Sequence, residues 1–368
     1  MLHPSTLPYI FTFAVSACAV LVSTPFIRRL GLEAGLIDKP NERKMHTTPV
    51  VRVGGVAIFL GSMFALLIVW WLGWFGILPP SDEYGVWGVI IGGAAFFLIG
   101  FADDLFSLPP LPRLVAQLVV AAAAWRAGVR VDFISVPFFG IVKFGIFGLP
   151  ITMIWLAGMA NAINWMDGLD GLAAGVTTIA AAVILITSLF MKQSAAALIA
   201  AALAGACLGF LRYNFKPRSS AEIFMGDGGS YFLGFMLAGV SVIGLVKSVA
   251  TVALILPYVI LAVPILDATI VILQRIARGQ SPLSAGKHHL HHKLVKAGVP
   301  KKQTVIFIYV LTLWVGGLAL AFSGMPAGGT YAAIATLIMF FAMWQVWLRI
   351  QHKKKMKQLE SHSQGQDS

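Results

Sequence analysis

The chain has 368 residues, of which 58% are hydrophobic and only 11% charged. A soluble domain carries about 25% charged residues, so an ordinary soluble enzyme, a disordered chain and a fibrous repeat are excluded. The net charge of +12 marks, in a polytopic membrane protein, the cytoplasmic face, and no nucleic-acid partner is expected.

A helix that crosses a bilayer needs about 20 mostly apolar residues. Eleven segments are read as such spans: 7–27, 53–75, 86–103, 112–128, 147–165, 172–190, 195–211, 228–246, 249–273, 303–322 and 328–348. The expected fold is an all-α polytopic integral membrane protein. The first stretch lacks a positive leader and an obvious cleavage site, and reads as a retained span rather than a signal peptide. Spans 112–128 and 195–211 are short and Ala-rich, which suits interior helices whose backbones approach closely. Such small-residue helices would also allow a homodimer. With the N-terminus outside and the C-terminus cytoplasmic, 22 of the 27 Lys and Arg fall inside, a strong orientation signal.

On this reading residues 1–350 form one catalytic domain, with cytoplasmic loops at 28–52, 104–111, 166–171, 212–227 and 274–302. Val129, Val131, Phe133 and Val136 alternate with polar residues, which suggests a small external β-hairpin. The tail 351–368 is basic, then polar; it is expected to be disordered and to lie near anionic lipid.

The carboxylates gather on the same inner face. Asp103 and Asp104 end the third span, Asp167 and Asp170 follow the fifth, and Asp227 opens the eighth, with Glu222 and Asp267 nearby. Acids at a membrane are expensive to keep and mark function by default; the plainer alternative is that some cap helices or pair with Arg. Five aspartates from three span ends suggest a divalent cation, Mg²⁺ with Mn²⁺ as the alternative, because Mg²⁺ joins one or two carboxylates to substrate phosphates. Cys18 and Cys207 cannot build a zinc site. Asn161, Asn164 and Asp167 recur every three residues and would share roughly one helix face, while Gly168 and Gly171 let the backbone turn. Gly226-Asp227-Gly228-Gly229 opens a helix whose free N–H groups would favour a phosphate, with Asp227 on the metal.

Basic partners lie alongside: Arg43, Lys44 and His46 in the first inside loop, and Lys287, His288, His289, His291 and His292 in the last. A zinc site would want Cys or carboxylate in that loop, and neither is there, so the imidazoles read as phosphate contacts. Carboxylates for Mg²⁺ beside cations for phosphates are the parts of phosphoryl transfer.

Together the blocks Asp38–Gly55, Phe101–Asp104, Asn161–Gly171, Asn214–Pro217, Phe224–Ser230 and His289–His292 resemble the polyprenyl-phosphate N-acetylhexosamine-1-phosphate transferases. The resemblance implies an inner-face active site in a bacterial-type plasma membrane and Mg²⁺ dependence. It also implies transfer of a sugar-1-phosphate from a UDP-N-acetylhexosamine to undecaprenyl phosphate, with release of UMP, to begin a lipid-linked envelope glycan. It implies Asp227 and Asn164 as metal contacts and Asp167 near the pyrophosphate. Asp103 would deprotonate or orient the acceptor phosphate, with Asp104 supporting. Lys44 and the His289, His291 and His292 loop would meet phosphates, and Asn214 would line the nucleotide side. Arg43, His46, Asn161, Asp170 and Lys287 join the substrate-binding set. His-Leu-His-His looks like the GlcNAc-1-phosphate branch rather than the phospho-MurNAc-pentapeptide transferases. Two departures fall in the sugar-nucleotide region: Gly286 stands where the family usually has an aspartate, and Arg218-Ser219-Ser220 looks inserted. Rival readings are a transporter, disfavoured because the acids cluster at one face, and an inactive lipid-binding homologue, disfavoured by the intact aspartates.

Overall fold

The computed structural model describes residues 6–364 except 39–48, 77, 79, 137–139, 217–218, 247–255 and 282–288. Arg43, Lys44, His46, Lys287 and the Gly286 departure lie outside the described residues. The helices in chain order are α1 (Leu7–Glu33), α2 (Gly55–Trp71), α3 (Pro80–Phe106), α4 (Pro110–Arg126), α5 (Gly148–Met166), α6 (Leu172–Phe190), α7 (Ser194–Asn214) and α8 (Gly226–Ser241). They continue with α9 (Leu256–Ile260), α10 (Ala262–Ala277), α11 (Leu290–Ala297), α12 (Lys301–Phe322) and α13 (Gly328–Gln364). Among the described residues seven helices are long and apolar enough to cross a membrane, namely α1, α3, α5, α6, α7, α12 and α13. This is the helical make-up of a polytopic membrane protein.

Two small antiparallel ladders punctuate the helices. β1 (Ile37–Asp38) pairs with β2 (Val50–Val51). β3 (Phe133–Val136) pairs with β4 (Gly140–Lys143), with Phe133 opposite Lys143. The stretch 249–273 differs from a single span: its described part is α9 followed by α10, meeting at Leu261. Pro264 lacks the N–H that would bond the Ile260 carbonyl, and its ring crowds that group, which explains the break.

The interior is built around α8 and α7. Every residue of α8 from Gly228 to Ser241 is buried, against α2, α3 and α5. Small residues permit this approach: a Cβ on Gly234 would stand 2.6 Å from the Ala160 Cα on α5, so the two backbones touch. α7 is buried along most of its length among α1, α2 and α6. Its alanines are therefore spent inside the chain, not on a second copy. α4 departs from the interior placement expected of it. Only Gln117, Ala121 and Ala124 are buried, one stripe at helical spacing, while Leu111, Val115 and Val119 are exposed.

The tail also departs from expectation, since α13 continues as helix to Gln364. Residues 351–364 contain no Gly or Pro and include Lys, Met, Gln, Leu and Glu, which favour helix. The stem of Lys353 packs on Gly298, which ends α11 in the left-handed conformation at φ 109°.

Candidate active site

The end of α3, the turn after α5 and the first turn of α8 meet in one place. Asp104 is the joint. Its Oδ1 accepts the Asp227 N–H at 3.0 Å and its Oδ2 the Gly228 N–H at 3.0 Å. A carboxylate there satisfies two orphan donors and complements the helix dipole. The α8 N-terminus, expected to hold a phosphate, thus holds a side chain of its own chain. Gly226 makes room, with φ 76°; a Cβ would come 2.7 Å from Asp104 Oδ2. Arg52 donates to the Asp104 carbonyl.

Asp103 is equally committed. Its Oδ2 pairs with Arg113 of α4, and its Oδ1 accepts the Leu108 N–H at 2.8 Å. Arg113 also lies 5.6 Å from the centre of the Tyr231 ring and within electrostatic reach of Asp227. Sequence reasoning counted Arg113 only as an orientation charge. Its signal was its isolation, as the one basic residue of the short segment after Asp103-Asp104.

Asn164 on α5 donates from Nδ2 to Asp227 Oδ1 at 2.6 Å and to Ser230 Oγ at 2.9 Å. The two residues that the resemblance gives to the metal are thus hydrogen-bonded to each other, with the amide donating. Asn161 turns elsewhere, donating to Gln117 Oε1 at 2.6 Å and to the Ala157 carbonyl at 2.8 Å. The reason is helical drift: a spacing of three falls about 60° short of a full turn each time. Over six residues Asn161 and Asp167 therefore part company.

Asp167 follows α5; its N–H donates to the Ile163 and Asn164 carbonyls, while its carboxylate has no hydrogen-bond partner among the described residues. Its charged neighbours are acids. Burial, then the charges of Asp227, Asp104 and Asp170, push its pKa up to about 8. Asp170 differs, since its Oδ2 accepts the Ala221 N–H at 2.9 Å. Asn214, expected on the nucleotide side, is a brace: Oδ1 accepts the Gly171 N–H and Nδ2 donates to the Ile223 carbonyl, both at 2.9 Å. These bonds tie the end of α7 to the turn and to the segment before α8. Tyr309 of α12 donates to the Gly171 carbonyl at 2.6 Å.

The histidines close the other side of the turn. His291 is buried under Gly168, where a Cβ would sit 2.5 Å from Nε2. Burial, then the charges of His292 and His289, push its pKa down to about 3. His291 and His292 have ring centres 4.2 Å apart, and Trp165 lies 6.1 Å from His289. The carboxylate missing from the loop sequence arrives from α10: Asp267 Oδ2 lies 2.9 Å from His289 Nδ1. Proximity in sequence could not reveal it.

Residues 86–245 match glycosyl transferase family 4, the stretch that carries Asp103, Asp104, Asn164, Asp167 and Asp227. Over 312 residues the chain is 35% identical to the probable undecaprenyl-phosphate N-acetylglucosaminyl 1-phosphate transferase of Bacillus subtilis, covering 84% of each chain. The chain belongs to this family of polyprenyl-phosphate N-acetylhexosamine-1-phosphate transferases. The decaprenyl-phosphate N-acetylglucosaminephosphotransferase of Mycolicibacterium smegmatis is 34% identical over 83% of this chain and 79% of its own. The undecaprenyl-phosphate alpha-N-acetylglucosaminyl 1-phosphate transferase of Escherichia coli K12 is 28% identical over 77% and 75%.

Among the described residues no three His, Cys, Asp or Glu side chains form a ready metal cage. The donor set suits a cation that takes few protein ligands. Asp167 and Asp227 offer hard oxygen, Asn164 holds Asp227 in place, and substrate phosphates and water would complete the shell. Crowded carboxylates with one left unpartnered are short of positive charge, which a divalent cation would supply.

Proposed function

We propose that this protein transfers GlcNAc-1-phosphate from UDP-GlcNAc to a polyprenyl phosphate such as undecaprenyl phosphate, releasing UMP. The observation that carries this reading is Asp167. It is a carboxylate among carboxylates, unpartnered, between the Asn164–Asp227 pair and the histidine helix, in a chain with the relatives named above. Mg²⁺ bound by Asp167 and Asp227 would offset charge on the donor pyrophosphate.

The chain's own residues do the rest by binding and orientation. A phosphate monoester loses its second proton near pH 6. The acceptor phosphate is therefore mostly dianionic at neutral pH and needs aiming more than deprotonation. Asp103 fits that need by holding Arg113 rather than by acting as a base, since both of its oxygens are engaged. A lipid-phosphate oxygen attacks the sugar-bearing phosphorus, the bond to the bridging oxygen breaks, and UMP departs. His289 and its neighbours would meet the donor phosphates.

Eleven membrane passages, an outside N-terminus, a cytoplasmic active site in a plasma membrane, and an external β3–β4 hairpin complete the proposal. The distribution of 22 of the 27 Lys and Arg supports them. The test is UMP release by purified protein with undecaprenyl phosphate, Mg²⁺ and UDP-GlcNAc. Release that needs the lipid and is abolished by EDTA is the expected result. Release without lipid would overturn the acceptor. Release only from UDP-MurNAc-pentapeptide would overturn the sugar, and no release from any UDP-sugar would overturn the reaction.

A further inference from the structure

The sequence presents the histidines around α11 as equivalents, and the structure separates them. His291 Nε2 is buried without a hydrogen-bond partner among the described residues. His289 is also buried, but its Nδ1 meets Asp267 Oδ2 at 2.9 Å, while Asp267 Oδ1 takes the Leu290 N–H at 2.7 Å. One carboxylate of α10 thus begins α11 and sets the angle of the imidazole just before it. A carboxylate only accepts, so the ring nitrogen facing it carries the proton. Nε2 then points away from Asp267, and no hydrogen bond engages it among the described residues. Trp165 of α5 lies beside this ring, with the Arg275 guanidinium 5.4 Å from the Trp165 ring centre. His291 and His292 complete the surroundings.

We propose that Asp267 is a positioning residue that acts through His289. It holds His289 as the Nδ1–H tautomer and aims Nε2 at the substrate phosphates. The proposal rests on the phosphotransferase reading above. At metal-bound histidines, outer partners of this kind fix both tautomer and direction and their loss costs about 10- to 100-fold; the same scale is expected for an imidazole aimed at phosphates.

The rival is that Asp267 only braces the start of α11, and a double-mutant cycle separates the two. Asp267→Asn should lower kcat of UMP release about 10- to 100-fold, whereas in a His289→Gln background it should cost less than about twofold more. The same large factor in both backgrounds overturns the proposal. ¹⁵N-histidine spectra of the full chain in nanodiscs provide a second readout that needs no turnover, with His289→Gln assigning the signal. The expected wild-type ring is the Nδ1–H tautomer, and Asp267→Asn should add the other form because an amide also donates. A wild-type Nε2–H ring overturns the proposal without any variant. Absent UMP release with an Nδ1–H ring, lost in Asp267→Asn, would sink the reaction while upholding the pair.

Discussion

The ends of α3 and α5 carry the same chemistry and use it differently. Each delivers two aspartates to one face of the bundle. At α3 both are consumed, Asp104 by two N–H groups of α8 and Asp103 by Arg113 and Leu108. At α5 Asp170 is consumed by the Ala221 N–H, while Asp167 faces only acids. Holding an acid at a membrane is costly, and three of these four are retained by bonds the fold itself needs. Asp167 has no such bond, so its retention points beyond the fold.

The sharpest way to break that comparison is substitution at the site. Asp167→Asn and Asp227→Asn should each lower UMP release about 10²- to 10³-fold or more, with the protein still folded by thermal unfolding in detergent. Activity within tenfold of wild type in Asp167→Asn would return Asp167 to the structural class of its neighbours. The pH dependence tests the same residue without substrate. Its folded pKa is raised from 3.8 to about 8, so the folded state holds the proton more tightly than the unfolded one. Stability in EDTA should therefore be greatest at low pH on this account and decline as pH rises from about 4 to about 8. Asp167→Asn should lessen that decline, chiefly above about pH 6, because Asp104, raised by burial to about 6, contributes only below that, and Mg²⁺ should restore stability most at the upper end of the window. A melting temperature that ignores both pH and Mg²⁺ over this range would contradict the shortage of positive charge.

Much of this site was legible because its chemistry is local. Asn164 and Asp167 lie three residues apart at the end of α5, and Asp227 belongs to a second glycine-framed motif, so their types and spacing already suggested a cation beside phosphates. What sequence could not supply was partnership. Asp104 reaches across more than 120 positions to the α8 N-terminus, and Asp267 reaches across 22 positions to His289. The resemblance gives Asn214 to the nucleotide side, yet its carboxamide bonds two backbone groups of its own chain. The helices were legible from apolar length. The placement of α4 was not, because an Ala-rich segment with one buried stripe reads the same whether its other face meets protein or lipid. The tail was misread because charge suggested solvation while its residues favour helix.

A smaller effect separates the α3 end from the α5 turn by stability. Asp104→Ala strips both acceptors from the α8 N-terminus, and loss of such a cap costs about 0.5–2 kcal/mol. Its melting temperature should fall while that of Asp167→Asn holds or rises. If Asp104→Ala were as stable as wild type, water would be satisfying those N–H groups, and Asp104 would join Asp167 as a group free for chemistry.

The smallest effect is the most discriminating, because it uses one substitution twice in one turn. Asp170→Asn keeps an oxygen that can accept the Ala221 N–H, so the tie between the turn and the loop before α8 survives. The lost charge matters little for stability, since an amide acceptor gives up only part of a bond worth about 1 kcal/mol net. It also removes one of the charges that raise the Asp167 pKa. UMP release should stay within about threefold of wild type, and any pH optimum set by Asp167 should shift slightly downward, because fewer like charges oppose its ionisation. A loss as deep as that of Asp167→Asn would mean that Asp170 also meets the cation or the donor. The bond to Ala221 would then be secondary to its chemistry.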